Sequence, residues 1–217
     1  MKLYGYWRSS ASYRVRIALN IKGIEYDYVP VHLLKDGGQQ HQQAYRSLNP
    51  AGLVPTLVDH EGSAEQVVLN QSLAIIEYLE ECYPSPSLLP GNPGQRAQIR
   101  AFALDLAADL QPLINLRTQQ YLKNTLQVGD EANAAWLAHW FKTSFTALEA
   151  RLQKHAGRYC FGDTLSLADV CLVPQVFSAL RFAPDLSPYP MLQRVYDRLQ
   201  ALPAFQQAAP AQQPDAE

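Results

Sequence analysis

The sequence predicts an α/β domain of βαβ–ββα order followed by an all-helical domain. Three observations predict it. Strand-like aromatic and β-branched runs are confined to residues 1–83, a proline- and glycine-rich segment occupies 84–94, and helical periodicity alone continues beyond.

Residues 2–7, Lys-Leu-Tyr-Gly-Tyr-Trp, are aromatic and apolar and read as a short strand. Ser9-Ser10-Ala11-Ser12 supplies helix-capping residue types, so a helix starts there. Across 13–22, Val15, Ala18 and Leu19 form one stripe with Arg14 and Lys22 directed to solvent, and Gly23 stands where a left-handed C-cap is wanted. Tyr26-Asp27-Tyr28-Val29-Pro30-Val31 reads as a second strand, parallel to the first through a right-handed crossover. Residues 55–58 and 66–69 flank the turn-rich spacer 59–63 and predict an antiparallel hairpin. Ser72 then caps a helix in which Leu73, Ile76, Leu79 and Tyr83 share a face with Ile75 beside it. Four strands in one mixed sheet with helices against it is the thioredoxin-like plan, assigned to residues 1–83. Four prolines and two glycines in 84–94 suit neither helix nor strand interior, and this segment is the predicted linker.

In the remainder, 95–217, apolar residues recur at i, i+3, i+4 over 96–110, 116–126, 133–155 and 167–182. Ser166 and Asp169 form a capping box, flanked by Leu165 and Val170 as a hydrophobic staple. Pro174 inside the last helix costs about 3 kcal/mol in an undisturbed helix interior and predicts a kink. The residues after Ala208 carry little apolar surface and are expected to attach loosely.

Eighteen basic and 20 acidic residues give a net charge of -2 with no long run of either sign, so no nucleic-acid footprint is visible. Cys82, Cys160 and Cys171 form no CxxC pair, which suits a reducing compartment. His32, His41, His60, His139 and His155 show no metal-ligand spacing, so no metal site is expected. The first residues do not resemble a signal peptide and no 18 apolar residues run together, so a cytoplasmic protein without membrane contact is expected.

In a thioredoxin-like domain, the end of the first strand and the start of the first helix favour a thiolate, because unpaired helix N–H groups carry partial positive charge there. That place holds no cysteine here, which disfavours disulfide exchange; a thiol must be brought in. A serine hydroxyl can hold such a thiolate by a hydrogen bond, and lowering a thiol pKa by about two units from ~8.5 corresponds to about 2.7 kcal/mol. Helix capping alone is the other reading of Ser9, Ser10 and Ser12. Val54-Pro55 before the third strand is a candidate cis turn that would leave Val54 backbone groups free for an extended peptide. Asn70-Gln71-Ser72 opens a helix and offers a carboxylate site, or an ordinary N-cap.

The run Arg8-Ser9-Ser10-Ala11-Ser12-Tyr13-Arg14-Val15-Arg16-Ile17-Ala18-Leu19 closely resembles the signature of zeta-class glutathione S-transferases, the maleylacetoacetate isomerase family. Lys35-Asp36-Gly37-Gly38-Gln39-Gln40, Asn49-Pro50, Val54-Pro55-Thr56-Leu57, the stretch from Asn70 to Glu80, Gln111-Pro112-Leu113-Ile114-Asn115-Leu116, the stretch from Ala168 to Gln175 and Pro188-Tyr189-Pro190 resemble further family segments in the same order. The resemblance implies a glutathione S-transferase-like fold, glutathione as cofactor, and a homodimer. It implies that Ser9 activates the glutathione sulfur, with Ser10 and Arg14 supporting that corner. Val54, at the Val54-Pro55 bond, would pair with the cysteinyl unit, Gln71 and Ser72 would hold the γ-glutamyl carboxylate, and Gln40 would reach the tripeptide. Gln111, Asn115 and Arg117 would close the site from the helical domain, and Arg181, together with Arg8, would clamp substrate carboxylates. Ala11 and Tyr13 depart from the cysteine and tryptophan of many members; Ala11 leaves the serine hydroxyls intact but removes cysteine-dependent side activities.

The implied activity is glutathione-dependent cis–trans isomerisation of a maleyl diacid, maleylacetoacetate to fumarylacetoacetate in tyrosine and phenylalanine catabolism. Maleylpyruvate is the alternative substrate. A conjugating transferase or dehalogenase of the same class, with Tyr6 in place of Ser9 as thiol activator, and a non-enzymatic module of the same fold are the remaining alternatives.

Overall fold

A computed structural model describes residues 1–182 and 185–217. The described residues form two compact units, Met1–Ser87 with Leu202–Glu217, and Leu88–Ala201.

In the first unit, β1 (Lys2–Gly5), β2 (Asp27–Pro30), β3 (Thr56–Asp59) and β4 (Val67–Asn70) form one sheet in the order β2-β1-β3-β4. β1 and β2 are parallel, and β1–β3 and β3–β4 are antiparallel, as the strand signals predict. The crossover helix α1 (Ser10–Lys22) is capped by Ser9 and ends at Gly23, whose φ of 65° is the left-handed conformation that glycine reaches without a Cβ clash. Leu3, Val15, Ile17, Leu19, Leu57, Ile75, Ile76 and Leu79 are at most 1% exposed and make the core of this unit. Between β2 and β3 lie two 3-10 turns, Lys35–Gly37 and Gln39–His41, and α2 (Gln43–Arg46), none of which has a periodicity signal. Helix α3 (Ser72–Cys82) follows β4.

Several expectations need correction. Arg14 is buried, and the Lys22 side chain, expected in solvent, is covered as its ammonium bonds the Glu80 carboxylate at 2.8 Å and the Tyr83 and Pro86 carbonyls. Tyr83 lies past the end of α3 and is 40% exposed, so it does not share the buried face of Ile75, Ile76 and Leu79. The residues after Ala208 are not loosely attached. Helix α10 (Pro203–Ala208) packs on α1, Pro210 and Gln213 are buried, and residues 202–217, grouped by sequence with the helical half, belong to the first unit.

The second unit is all helical. Asn92 and Gln95 form a capping box for α4 (Pro93–Leu104), which starts within the segment read as linker and continues through a π-helical turn at Asp105–Leu110 into α5 (Gln111–Ile114). Then come α6 (Leu116–Asn124), α7 (Asp130–His155), α8 (Leu167–Ala179) and α9 (Pro190–Gln200); α9 and α10 were not predicted. At the start of α8 the Asp169 carboxylate accepts the Ser166 and Cys160 N–H groups, each at 2.8 Å. Burial raises its pKa, and these bonds pull the other way. Glu149, 5% exposed on α7, accepts the N–H groups of Met191 and Leu192 at 3.0 and 2.9 Å and so caps α9 from another helix.

Candidate active site

Strand register decides which loops share an edge of the sheet. Tyr4 pairs with Thr56 and Thr56 with Asn70, so the end of β1, the entry to β3 and the exit of β4 lie side by side. Gly5 pairs with Pro30 in the parallel ladder, so the chain leaving β2 toward Gln40 departs from the same edge. The turn carrying Ser9, the Val54-Pro55 pair and Gln71-Ser72 therefore converge from three separate stretches of sequence.

Ser9 has extended backbone (φ -69°, ψ 119°), and its Oγ accepts the Ser12 N–H at 3.2 Å. That bond occupies a lone pair and satisfies one of the orphan amides of α1. The hydroxyl hydrogen has no acceptor among the described residues. Capping and donation to a ligand are thus compatible duties of one hydroxyl. Ser10 is the first residue of α1, and Ser12, fully buried, accepts the Tyr6 N–H at 3.4 Å. The first turn of α1 contains no acidic residue, so its positive end is not offset locally.

The alternative activator Tyr6 is 4% exposed, its ring edge-on to His32 at 5.0 Å and to Trp7 at 6.0 Å. Half-buried Ser9 stands in the more accessible position.

Arg14 is 2% exposed and donates from Nε to Ser72 Oγ at 3.0 Å, tying α1 to the start of α3. Ser72 is the first helical residue and not the cap it was expected to be; Gln71 occupies that position with φ 69° and ψ 111°. A positive φ is uncommon for a residue with a side chain, and such strain gathers at binding sites. Its carbonyl accepts the Ile75 N–H, while the first amides of this 11-residue helix face a turn with no acidic residue. Such a helix start is chemically suited to an anion.

The Val54-Pro55 bond is cis, and the N–H and C=O of Val54 carry no hydrogen bond among the described residues. Gln40 is 8% exposed; its Nε2 donates to the Leu33 carbonyl at 3.3 Å, and its buried Oε1 has no hydrogen-bond partner among the described residues. Gly38 permits this placement, since a Cβ there would fall 2.6 Å from Gln40 Nε2, and its φ of 98° is unsuited to other residues. A peptide ligand with a carboxylate at one end and a thiol in the middle fits these groups: an anion site, a free main-chain pair, an unpartnered acceptor and a free hydroxyl donor.

Arg8 is half-buried with its guanidinium 5.3 Å from the Trp7 ring. In the second unit, Gln111 begins α5 and the Asn115 side chain accepts the Thr118 N–H at 2.9 Å, capping α6. Arg117 is exposed on α6, and Arg181, exposed after α8, lies 5.1 Å from the Phe182 ring. The sequence reading missed the groups behind the Ser9 turn, namely Trp7, Arg16, Tyr28 and Asp215; the one signal was a charged residue, Arg16, inside a helix with apolar neighbours. Among the described residues no group of His, Cys, Asp and Glu could hold a metal, and no helix is long and apolar enough to cross a membrane.

Residues 8–82 match the family described as "Glutathione S-transferase, N-terminal domain" and residues 130–198 that described as "Glutathione S-transferase, C-terminal domain". A Vibrio cholerae serotype O1 protein described as a probable maleylacetoacetate isomerase is 56% identical over 99% of this chain and 97% of its own length. Among solved structures, a holo maleylpyruvate isomerase, described as a bacterial zeta-class glutathione S-transferase, is 47% identical with a TM-score of 0.93, covering 100% of both chains. A maleylacetoacetate isomerase from Anaeromyxobacter dehalogenans 2CP-1, with dicarboxyethyl glutathione and citrate in its active site, is 38% identical with a TM-score of 0.87, covering 100% of this chain and 97% of its own. With both halves matched and the likeness running the length of the chain, the protein belongs to the zeta class of glutathione S-transferases, the maleylacetoacetate isomerase family.

Proposed function

We propose that the protein is a glutathione-dependent cis–trans isomerase converting maleylacetoacetate to fumarylacetoacetate. The carrying observation is the Ser9 hydroxyl, which caps α1 through its oxygen and keeps its hydrogen for a ligand, in an opening turn that has no cysteine of its own. When bound, glutathione supplies the nucleophile: its thiolate adds to the activated cis double bond, the resulting single bond rotates, and elimination returns the trans isomer with the thiolate regenerated. The dicarboxyethyl glutathione in the Anaeromyxobacter relative is the kind of thioether that addition of a thiol to a butenedioic acid produces.

This chain's residues do the rest. Ser9 donates to the sulfur and keeps it ionised, aided by the positive end of α1. Val54 pairs through its main chain with the cysteinyl unit beside Pro55, Gln71 and the α3 amides take the γ-glutamyl carboxylate, and Gln40 accepts from the tripeptide. Arg14, held on Ser72, fixes the start of α3. In the helical unit Gln111, Asn115, Arg117 and Arg181 keep the roles that the resemblance implies, and Arg8 binds a substrate carboxylate and offsets charge developing on the substrate.

Maleylpyruvate is the second reading, favoured by the 47% identical isomerase of that name. Conjugation of electrophiles through Tyr6 is disfavoured by that residue's burial, and a non-enzymatic role by the retention of Ser9, Val54-Pro55 and Gln71-Ser72 together. A homodimer in the cytoplasm completes the proposal. Incubation of the purified protein with maleylacetoacetate and with maleylpyruvate, each with and without glutathione, tests it: trans product is expected from the first only when glutathione is present, and no turnover of either substrate refutes it.

A further inference from the structure

The turn of residues 6–9 ends at Ser9 and is closed by the Ser9 N–H on the Tyr6 carbonyl at 3.0 Å. Its first inner residue, Trp7, is gripped at both main-chain groups from outside the turn. The Trp7 N–H donates to Asp215 Oδ2 at 3.0 Å, and the Trp7 carbonyl accepts from Arg16 Nη2 at 2.9 Å. Arg16 is fully buried, its guanidinium lying 5.3 Å from the Tyr13 ring and 5.9 Å from the Tyr28 ring, and its Nε donates to the Ala208 carbonyl at 2.9 Å. The Tyr28 hydroxyl reaches the same Asp215 oxygen at 3.5 Å.

Burying the Arg16 charge is costly, and in some proteins such a group is retained because its hydrogen bonds specify one geometry. Here both charges converge on the two consecutive peptide groups that set the direction of the Ser9 turn. Residues 209–217 bring Asp215 to that place: Gln213 Nε2 donates to the Gln207 and Ala209 carbonyls at 3.0 Å each, and Glu217 pairs with Lys35.

We propose that Asp215 and Arg16 are positioning residues for thiol activation, clamping the two peptide groups of Trp7 so that the Ser9 hydroxyl is aimed at the sulfur. This rests on the reading of Ser9 as the activator. The residues touch neither sulfur nor substrate; they act through the turn. Small misplacements of a reacting group are costly in rate, on the order of 100-fold per ångström.

The test compares Asp215→Ala with Asp215→Asn in the full chain, reading isomerase kcat, glutathione Kd, and the pH midpoint of the thiolate ultraviolet band of bound glutathione. Asp215→Asn keeps an oxygen to accept the Trp7 N–H; Asp215→Ala does not. For Asp215→Ala the expected result is a loss of about tenfold in kcat, a Kd within about twofold, and a thiolate midpoint raised by about one pH unit, with Asp215→Asn within about threefold of the parent. A role through charge alone predicts the opposite sign, because removing a nearby anion lowers the midpoint in both variants. A lowered or unmoved midpoint in Asp215→Ala overturns the positioning role, as do equal losses in the two variants. Absence of any thiolate band in the parent protein overturns the glutathione reading itself and the positioning role with it, so the two failures are told apart.

Discussion

The capping duty of Ser9 and the sulfur-donor duty proposed for it can be separated by substitution. Alanine removes both the cap on the Ser12 N–H and the donor to sulfur, whereas glycine at an N-cap keeps most of the capping stability. Ser9→Ala should lower stability by about 1 kcal/mol and Ser9→Gly by only a few tenths. Their catalytic loss should be the same. If Ser9 and the helix end together hold the thiol about two units below its free value of ~8.5, roughly three quarters of the bound glutathione is ionised at neutral pH with both and about 3% with neither, so loss of the serine alone should lower the rate by at most about 25-fold. Ser9→Thr, which retains a hydroxyl, should keep most of the activity. The assay is isomerase rate against pH beside urea denaturation of each variant. Both defective variants should recover rate as the pH approaches that of free glutathione ionisation, because the thiolate then forms without help. A Ser9→Gly enzyme with parental rate at neutral pH, or a deficit that persists at high pH, would refute the assignment.

Two other predictions concern the scaffold. Glu149→Ala strands the Met191 and Leu192 amides at the start of α9 and should cost about 3 kcal/mol, against about 1 for Glu149→Gln, lowering the melting temperature by about 6–12 °C and about 2–4 °C respectively; equal melting temperatures would remove the capping role. Glu217 has its carboxyl held below the usual range by Lys35 and, more weakly, His32. A depressed carboxyl pKa stabilises docking of 209–217 above the unpaired value of ~4.3, and that contribution disappears as pH falls through the lower docked value. Amide exchange at 209–217 should therefore accelerate through that acid range in the parent and show no such step in Glu217→Gln; matching profiles would exclude the pair.

The strands of the first unit and the caps Ser9 and Gly23 were legible because β-branched runs, serine clusters and a terminal glycine act locally. The groups proposed to hold a thiol ligand could be placed for the same reason: they sit at element ends, where residue type and position are coupled. Residues 202–217 were not. Their attachment runs through the carbonyls of Ala204, Phe205 and Ala208, which accept from Asn20, Tyr13 and Arg16, and a main-chain acceptor leaves no mark on residue identity. Arg14 and Lys22 were read as solvated because charge usually is, and their acceptors lie about 60 residues away in sequence, beyond any local pattern. No helix was predicted beyond residue 182, although Pro190 is at home in the first turn of one, and so α9 went unseen.

The first compact unit is discontinuous in the chain, since Leu202–Glu217 completes what Met1–Ser87 begins. On a ribosome adding ~5–20 residues per second, the intervening 88–201 takes roughly 6–23 s to make. Through that interval the carbonyl of Trp7 can meet Arg16, but its amide has no Asp215 to meet. All four strands of the sheet are made well before Asp215, so in the proposed scheme the Ser9 turn gains its second brace only after residues 202–217 have been added.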